Sequence, residues 1–154
     1  MRPTEADNFF HVADALLDEL DGSPAEVAEW EACANARYRA AISRAYYAVF
    51  LEIKYGVLPL RDEWLRASQT FPRHQVHRRF VDAIRAVPDG HRLARDLNQL
   101  SKSRNAADYV WDAPYHRTHV EQELKVARRL LGELARLTAR EWERAADRLA
   151  QQGA

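Results

Sequence analysis

The sequence predicts an all-α protein, an antiparallel bundle of about five helices in a single domain over residues 1–154. Three observations predict it. Apolar residues recur at spacings of three and four along most of the chain, no segment alternates as a half-buried strand would, and the five Gly and six Pro fall mostly between the periodic segments. A chain of this length buries about 70% of the surface its unfolded form exposes, enough for one sizeable core. With 47% apolar and 30% charged residues, it has the balance of a folded protein rather than a disordered one.

From Asn8, the residues Phe9, Ala13, Leu16, Leu17 and Leu20 mark one helical face, closing before Asp21-Gly22. Ser23-Pro24-Ala25-Glu26 then offers a hydroxyl cap, a first-turn proline and a capping-box glutamate. Behind it, Val27, Trp30, Ala34, Tyr38, Ala41, Ala45, Val49 and Ile53 form the stripe of a second helix that can run to Gly56, a break near Cys33 to Asn35 being the alternative. Residues 57–72, with Pro59 and Pro72, read as a connection holding at most a short helical turn around Asp62 to Ala67. A third helix buries Val76, Phe80, Ile84 and Val87 and stops at Pro88-Asp89-Gly90. The fourth starts near His91, turns Leu93, Leu97 and Leu100 inward, and ends at Asp112-Ala113-Pro114. Thr118-His119-Val120-Glu121 repeats the capping box, and Val120, Leu124, Ala127, Leu131, Leu134, Trp142, Ala145 and Leu149 predict one long last helix.

A single cysteine, Cys33, excludes an internal disulfide and most resembles inert packing. The start MRPTEADNFF has no basic region followed by an apolar run, and no apolar stretch approaches the length of about 20 residues that spans a bilayer. A cytoplasmic protein without membrane contact is expected. Lys plus Arg equals Asp plus Glu at 23 each, so any contact with nucleic acid must be local rather than driven by bulk charge. The cations are 20 Arg and three Lys, which fits either compositional bias or bidentate phosphate contacts. Trp30, Trp64, Trp111 and Trp142 are many tryptophans for one modest core, and a homodimer is the simplest cover for them.

The stripe Leu93, Leu97, Leu100 calls for an apolar residue at 104, and the sequence supplies arginine. Arg104 is therefore expected to point inward or into a groove, with Asp108 one turn on as its ion-pair partner. The pair reads either as a tie within the bundle or as a ligand or phosphate site. Asn105 and Tyr109 form the adjacent face, again one turn apart. In SRAYYAVF, residues 43–50, Arg44 lies seven residues after Arg37 on one face with Tyr47 nearby, so these side chains are candidates to line a groove, while Tyr46 is expected in the core. His74 with His77, and His116 with His119, are loose pairs without a full ligand set, and no Gly-rich phosphate loop is present. Neither metal nor cofactor is expected.

Taken together, SRAYYAVF on one helix, the segment His77 to Phe80, and LNQLSKSRNAADY (97–109) before the last helix resemble the HEPN superfamily over roughly residues 35–135. The nearest branch looks like the small stand-alone HEPN proteins often encoded beside a minimal nucleotidyltransferase. The resemblance implies a dimeric helical bundle with the arginine motif at the dimer cleft, and metal-independent RNA cleavage in many members. Active members follow the Arg and a polar residue with a His, four to six residues intervening between the Arg and the His. Here the Arg is Arg104 and the polar residue Asn105, but positions 109–111 hold Tyr109, Val110 and Trp111. An unperturbed tyrosine, with a pKa near 10, is a poor base at neutral pH.

The resemblance therefore implies an RNA-directed protein, a candidate metal-independent endoribonuclease or toxin-type effector with a degenerate motif. In that reading Arg104, Asn105 and Tyr109 form the catalytic set and Arg44, Tyr47 and Asp108 the RNA- or phosphate-binding set. The alternative is a non-catalytic module that binds RNA or nucleotide, or pairs with a nucleotidyltransferase partner in a toxin-antitoxin system.

Overall fold

The computed structural model describes residues 5–18, 27–56, 62–63, 65–66, 69–110 and 113–152. Six α-helices are defined among them: α1 (Glu5–Asp18), α2 (Val27–Leu51), α3 (Arg73–Ile84), α4 (Gly90–Tyr109), α5 (Arg117–Leu134) and α6 (Ala139–Gln151). A π-helical turn, Glu52–Gly56, extends α2. No strand occurs among the described residues, and no helix among them is long and apolar enough to cross a membrane.

The long helix α2 is the hub, packing against α1, α4 and α5, while α3 lies against α4 and α6. Its sequence explains the position. Ala41, Ala45 and Ala48 are fully buried, and such short side chains let neighbouring backbones approach closely, while Ile42, Val49 and Ile53 fill the remaining space. No break occurs at Cys33 to Asn35. The Asn35 side-chain oxygen instead accepts the Tyr115 backbone N–H at 3.1 Å, tying the segment before α5 to α2.

Helix α3 ends at Ile84, short of the expected stop at Pro88-Asp89-Gly90, and residues 85–89 form the turn into α4. Val87 is buried, Asp89 adopts the left-handed conformation at φ 54°, and a Cβ on Gly90 would collide with the Ile84 carbonyl. Leu93, Leu97 and Leu100 all face the core. Helix α4 ends at Tyr109, before the expected Asp112-Ala113-Pro114 stop: Val110 is extended, and its carbonyl accepts from Arg39 at 2.8 Å.

The single last helix is corrected to two. Thr138 opens α6 with a complete capping box: its side chain accepts from the Glu141 backbone N–H at 3.4 Å, and its own N–H donates to the Glu141 carboxylate at 2.7 Å. The expected box at Thr118 is absent, because α5 already begins at Arg117 after His116 and Glu121 pairs with Arg117 at 2.9 Å. Helical residues do occur at 62–63, 65–66 and 69–70. The Ser23–Glu26 cap, the Asp21-Gly22 stop, Trp64, Trp111 and the side chains of Trp30, Cys33, His74 and Val76 lie outside the described residues.

Candidate functional site

Three helices converge on Arg104. Its place in the leucine stripe of α4 turns it toward α2, and its side chain retains only 18% exposure. The guanidinium carbon lies 5.1 Å from the ring centroid of Tyr46 and 5.6 Å from that of Tyr47, both on α2. Such contacts between a cation and ring faces are worth about 0.5–2 kcal/mol each, more as water is excluded. Arg104 Nη1 stands 3.5 Å from Asp108 Oδ2, on a side chain 30% exposed. Its Nε is buried without a hydrogen-bond partner.

Tyr46 is 3% exposed, stacks on Phe50 at 5.5 Å and meets Tyr47 edge-on at 5.2 Å. Its hydroxyl lies 3.3 Å from Nδ1 of His77 on α3, whose ring also packs against Phe50 at 5.4 Å. The other ring nitrogen of His77, Nε2, is buried and unpartnered.

Electrostatics follow this burial. Burial pushes the Tyr46 phenol up to about 12, against the opposing pull of Arg104 and Ser101, so it stays neutral. Burial, then the positive charge of Arg104, holds His77 below its ordinary value. Burial works against charge on Arg104, yet Tyr47, Tyr46 and Asp108 more than offset it and keep its pKa above the usual arginine value. The centre thus holds a fixed cation, a neutral phenol and a neutral imidazole at physiological pH.

The structure brings only some of the sequence-predicted residues to this centre. Asp108 and Tyr47 touch Arg104. Arg44 is exposed and lies 5.5 Å over the ring of Phe9, which in turn is 6.5 Å from Tyr47. Arg104, Tyr47, Phe9 and Arg44 therefore form a row with a guanidinium at each end. Asn105 is exposed, and Tyr109, 71% exposed, sits about 140° around the helix from Arg104 at 100° per residue.

Tyr46 and His77 belong to the site although the sequence reading assigned one to the core and weighed the other as a metal ligand. The available signal was chemical, since a buried tyrosine hydroxyl usually finds a polar partner. The rings of His116 and His119 are 5.6 Å apart, and the described residues contain no group of three or more His, Cys, Asp or Glu placed to hold a metal ion. No protein-family model, curated protein or solved structure matches the chain.

Proposed function

We propose that this chain is a HEPN-like module that binds a phosphate of RNA or of a nucleotide at Arg104, works as a homodimer, and lacks an efficient ribonuclease centre. The observation that carries this reading is the state of Arg104. Its guanidinium is held by two rings and one carboxylate, and its side chain keeps 18% exposure, so the surface-facing part of the fork is left to meet an anion. A planar, pre-oriented fork suits a phosphate better than a mobile ammonium does. Asp108, itself an anion, contributes by orienting the fork rather than by touching phosphate. Arg44, at the far end of the aromatic row, supplies a second cation for a neighbouring phosphate.

The available proton carriers argue for binding over cleavage. Tyr46 is held neutral, Tyr109 points elsewhere around α4, and His77 Nε2 is closed off from solvent. A second reading, a metal-independent endoribonuclease or toxin-type effector, is favoured by one contact, the Tyr46 hydroxyl on His77, through which a histidine outside the family motif would act on a proton. A nucleotidyltransferase partner belongs to either reading through the family resemblance alone.

Fluorescence anisotropy with labelled single-stranded RNA tests the binding reading. Arg104→Ala should weaken binding by about tenfold or more, the worth of a charge-assisted hydrogen bond, and Arg104→Lys should recover only part of it. Equal affinity in all three folded proteins would remove Arg104 from the interface.

A further inference from the structure

Helix α1 brings an aromatic ring to the surface beside Arg104. Phe9 is half-buried, and its ring lies 6.5 Å from that of Tyr47 at an angle of 33°, within the contact range of aromatic pairs. Arg44 and Tyr47 are three residues apart on α2 and so share a helix face, to which α1 adds Phe9. The Arg44 guanidinium lies 5.5 Å from the Phe9 centroid, on an exposed side chain.

Other arginines that lie over rings are closed by a second group, and Arg44 is not. Over Phe10, the neighbouring ring of α1, the Arg128 guanidinium stands 5.1 Å from the centroid, but both Asp14 carboxylate oxygens hold it at 2.7 Å. Arg79 sits 3.8 Å over Phe71 and donates to the Gln152 carbonyl. Arg44 has neither an ion pair nor a hydrogen-bond acceptor among the described residues, and its 5.5 Å separation is looser than that of Arg79. The protein therefore leaves its charge unopposed and its fork without an acceptor. A phosphate supplies that acceptor, and the base attached to it has a π-face to set against Phe9.

We infer that Phe9 and Arg44 form a second nucleotide subsite beside Arg104, with an unpaired base stacked on the Phe9 ring and the adjoining phosphate on Arg44. The inference rests on the binding reading of Arg104 and adds to it a residue of α1. Stacking needs a free base face, which a base inside an A-form duplex does not offer, so the subsite selects single strands. Every base has such a face, so the selection is for strandedness and not for sequence.

Fluorescence anisotropy of the full chain with labelled oligouridine, alone and annealed to oligoadenosine, tests it. The wild type should bind the single strand about tenfold or more tighter than the duplex, the usual worth of one stacked base. Phe9→Leu, which keeps an apolar side chain between α1 and α2, should lose most of that preference and leave duplex affinity within about twofold. Arg44→Ala should make the slope of log K against log salt shallower by about 0.7 on the single strand, and its exposed position keeps the test standing should Phe9→Leu fail to fold. The inference is overturned by equal affinity of the wild type for the two RNAs, by an unchanged preference in folded Phe9→Leu, or by a wild-type salt slope in Arg44→Ala. If Arg104→Ala still weakens binding in those cases, the Arg104 reading survives without the second subsite, whereas a wild type that binds neither RNA overturns both.

Discussion

The Tyr46 hydroxyl and His77 Nδ1, from α2 and α3, lie 3.3 Å apart beside Arg104. The phenol and the imidazole share one hydrogen bond whose donor is set by the histidine tautomer, and the second ring nitrogen, Nε2, is buried without a partner. The contact anchors the Tyr46 ring over which the Arg104 guanidinium lies.

Tyr46→Phe should therefore cost more than one surface hydrogen bond. It leaves Nδ1 unsatisfied in a buried position, for which about 1–3 kcal/mol is the usual penalty. Urea denaturation reads this directly, and a midpoint equal to that of wild type would contradict the pairing.

The same environment gives stability a pH dependence with a definite sign. His77 is held below its ordinary pKa of 6.5, so the unfolded chain takes up a proton that the native state refuses. Its contribution is complete above 6.5 and is lost as the pH falls from there toward the lowered folded value. Glu123 has the opposite sign: burial raises it, so its contribution is present below its ordinary 4.5 and is lost as the pH rises through the raised value. Comparing wild type with His77→Phe isolates the histidine. Between about pH 7 and pH 5.5 the melting temperature of wild type should fall relative to that of the mutant. Parallel curves would contradict the assignment.

Dimerisation is expected to use the end of α4, where Tyr109 and Val110 are adjacent, large and exposed. Light scattering at about tens of micromolar should report a dimer, and Tyr109→Glu with Val110→Glu should shift it to monomer. A monomer in the wild-type protein at that concentration would count against a shared cleft.

Tyr109→His restores the family pattern five residues after Arg104 and tests whether the remaining centre is competent. Wild-type protein should leave RNA uncut in chelator. Because residue 109 lies about 140° around α4 from Arg104, the mutant should also leave it uncut, and cleavage that spares DNA and leaves a cyclic phosphate, with the 2′-hydroxyl as nucleophile, would favour the endoribonuclease reading. A folded mutant that cuts nothing would leave the chain a binding module only.

Much of the fold was legible because apolar spacing is a local signal. Leu93, Leu97 and Leu100 placed α4, and the mismatch at position 104 marked an inward arginine. The break before α6 was legible too, in Thr138 and Glu141, but the continuing apolar stripe from Leu134 to Trp142 outweighed that short cap motif. Tyr46 and His77 were harder to find. Each fits an apolar pattern or a loose histidine pair in its own helix, and their meeting with Arg104 depends on how α2, α3 and α4 pack, which spacing within one helix does not encode.

The most direct test of the Arg104 account is the salt dependence of binding to single-stranded RNA. Each phosphate contact contributes about −0.7 to the slope of log K against log salt. Arg104→Ala, still melting cooperatively, should bind more weakly and show a slope shallower by about that amount. A folded mutant with the wild-type slope and affinity would contradict the claim that Arg104 receives a phosphate.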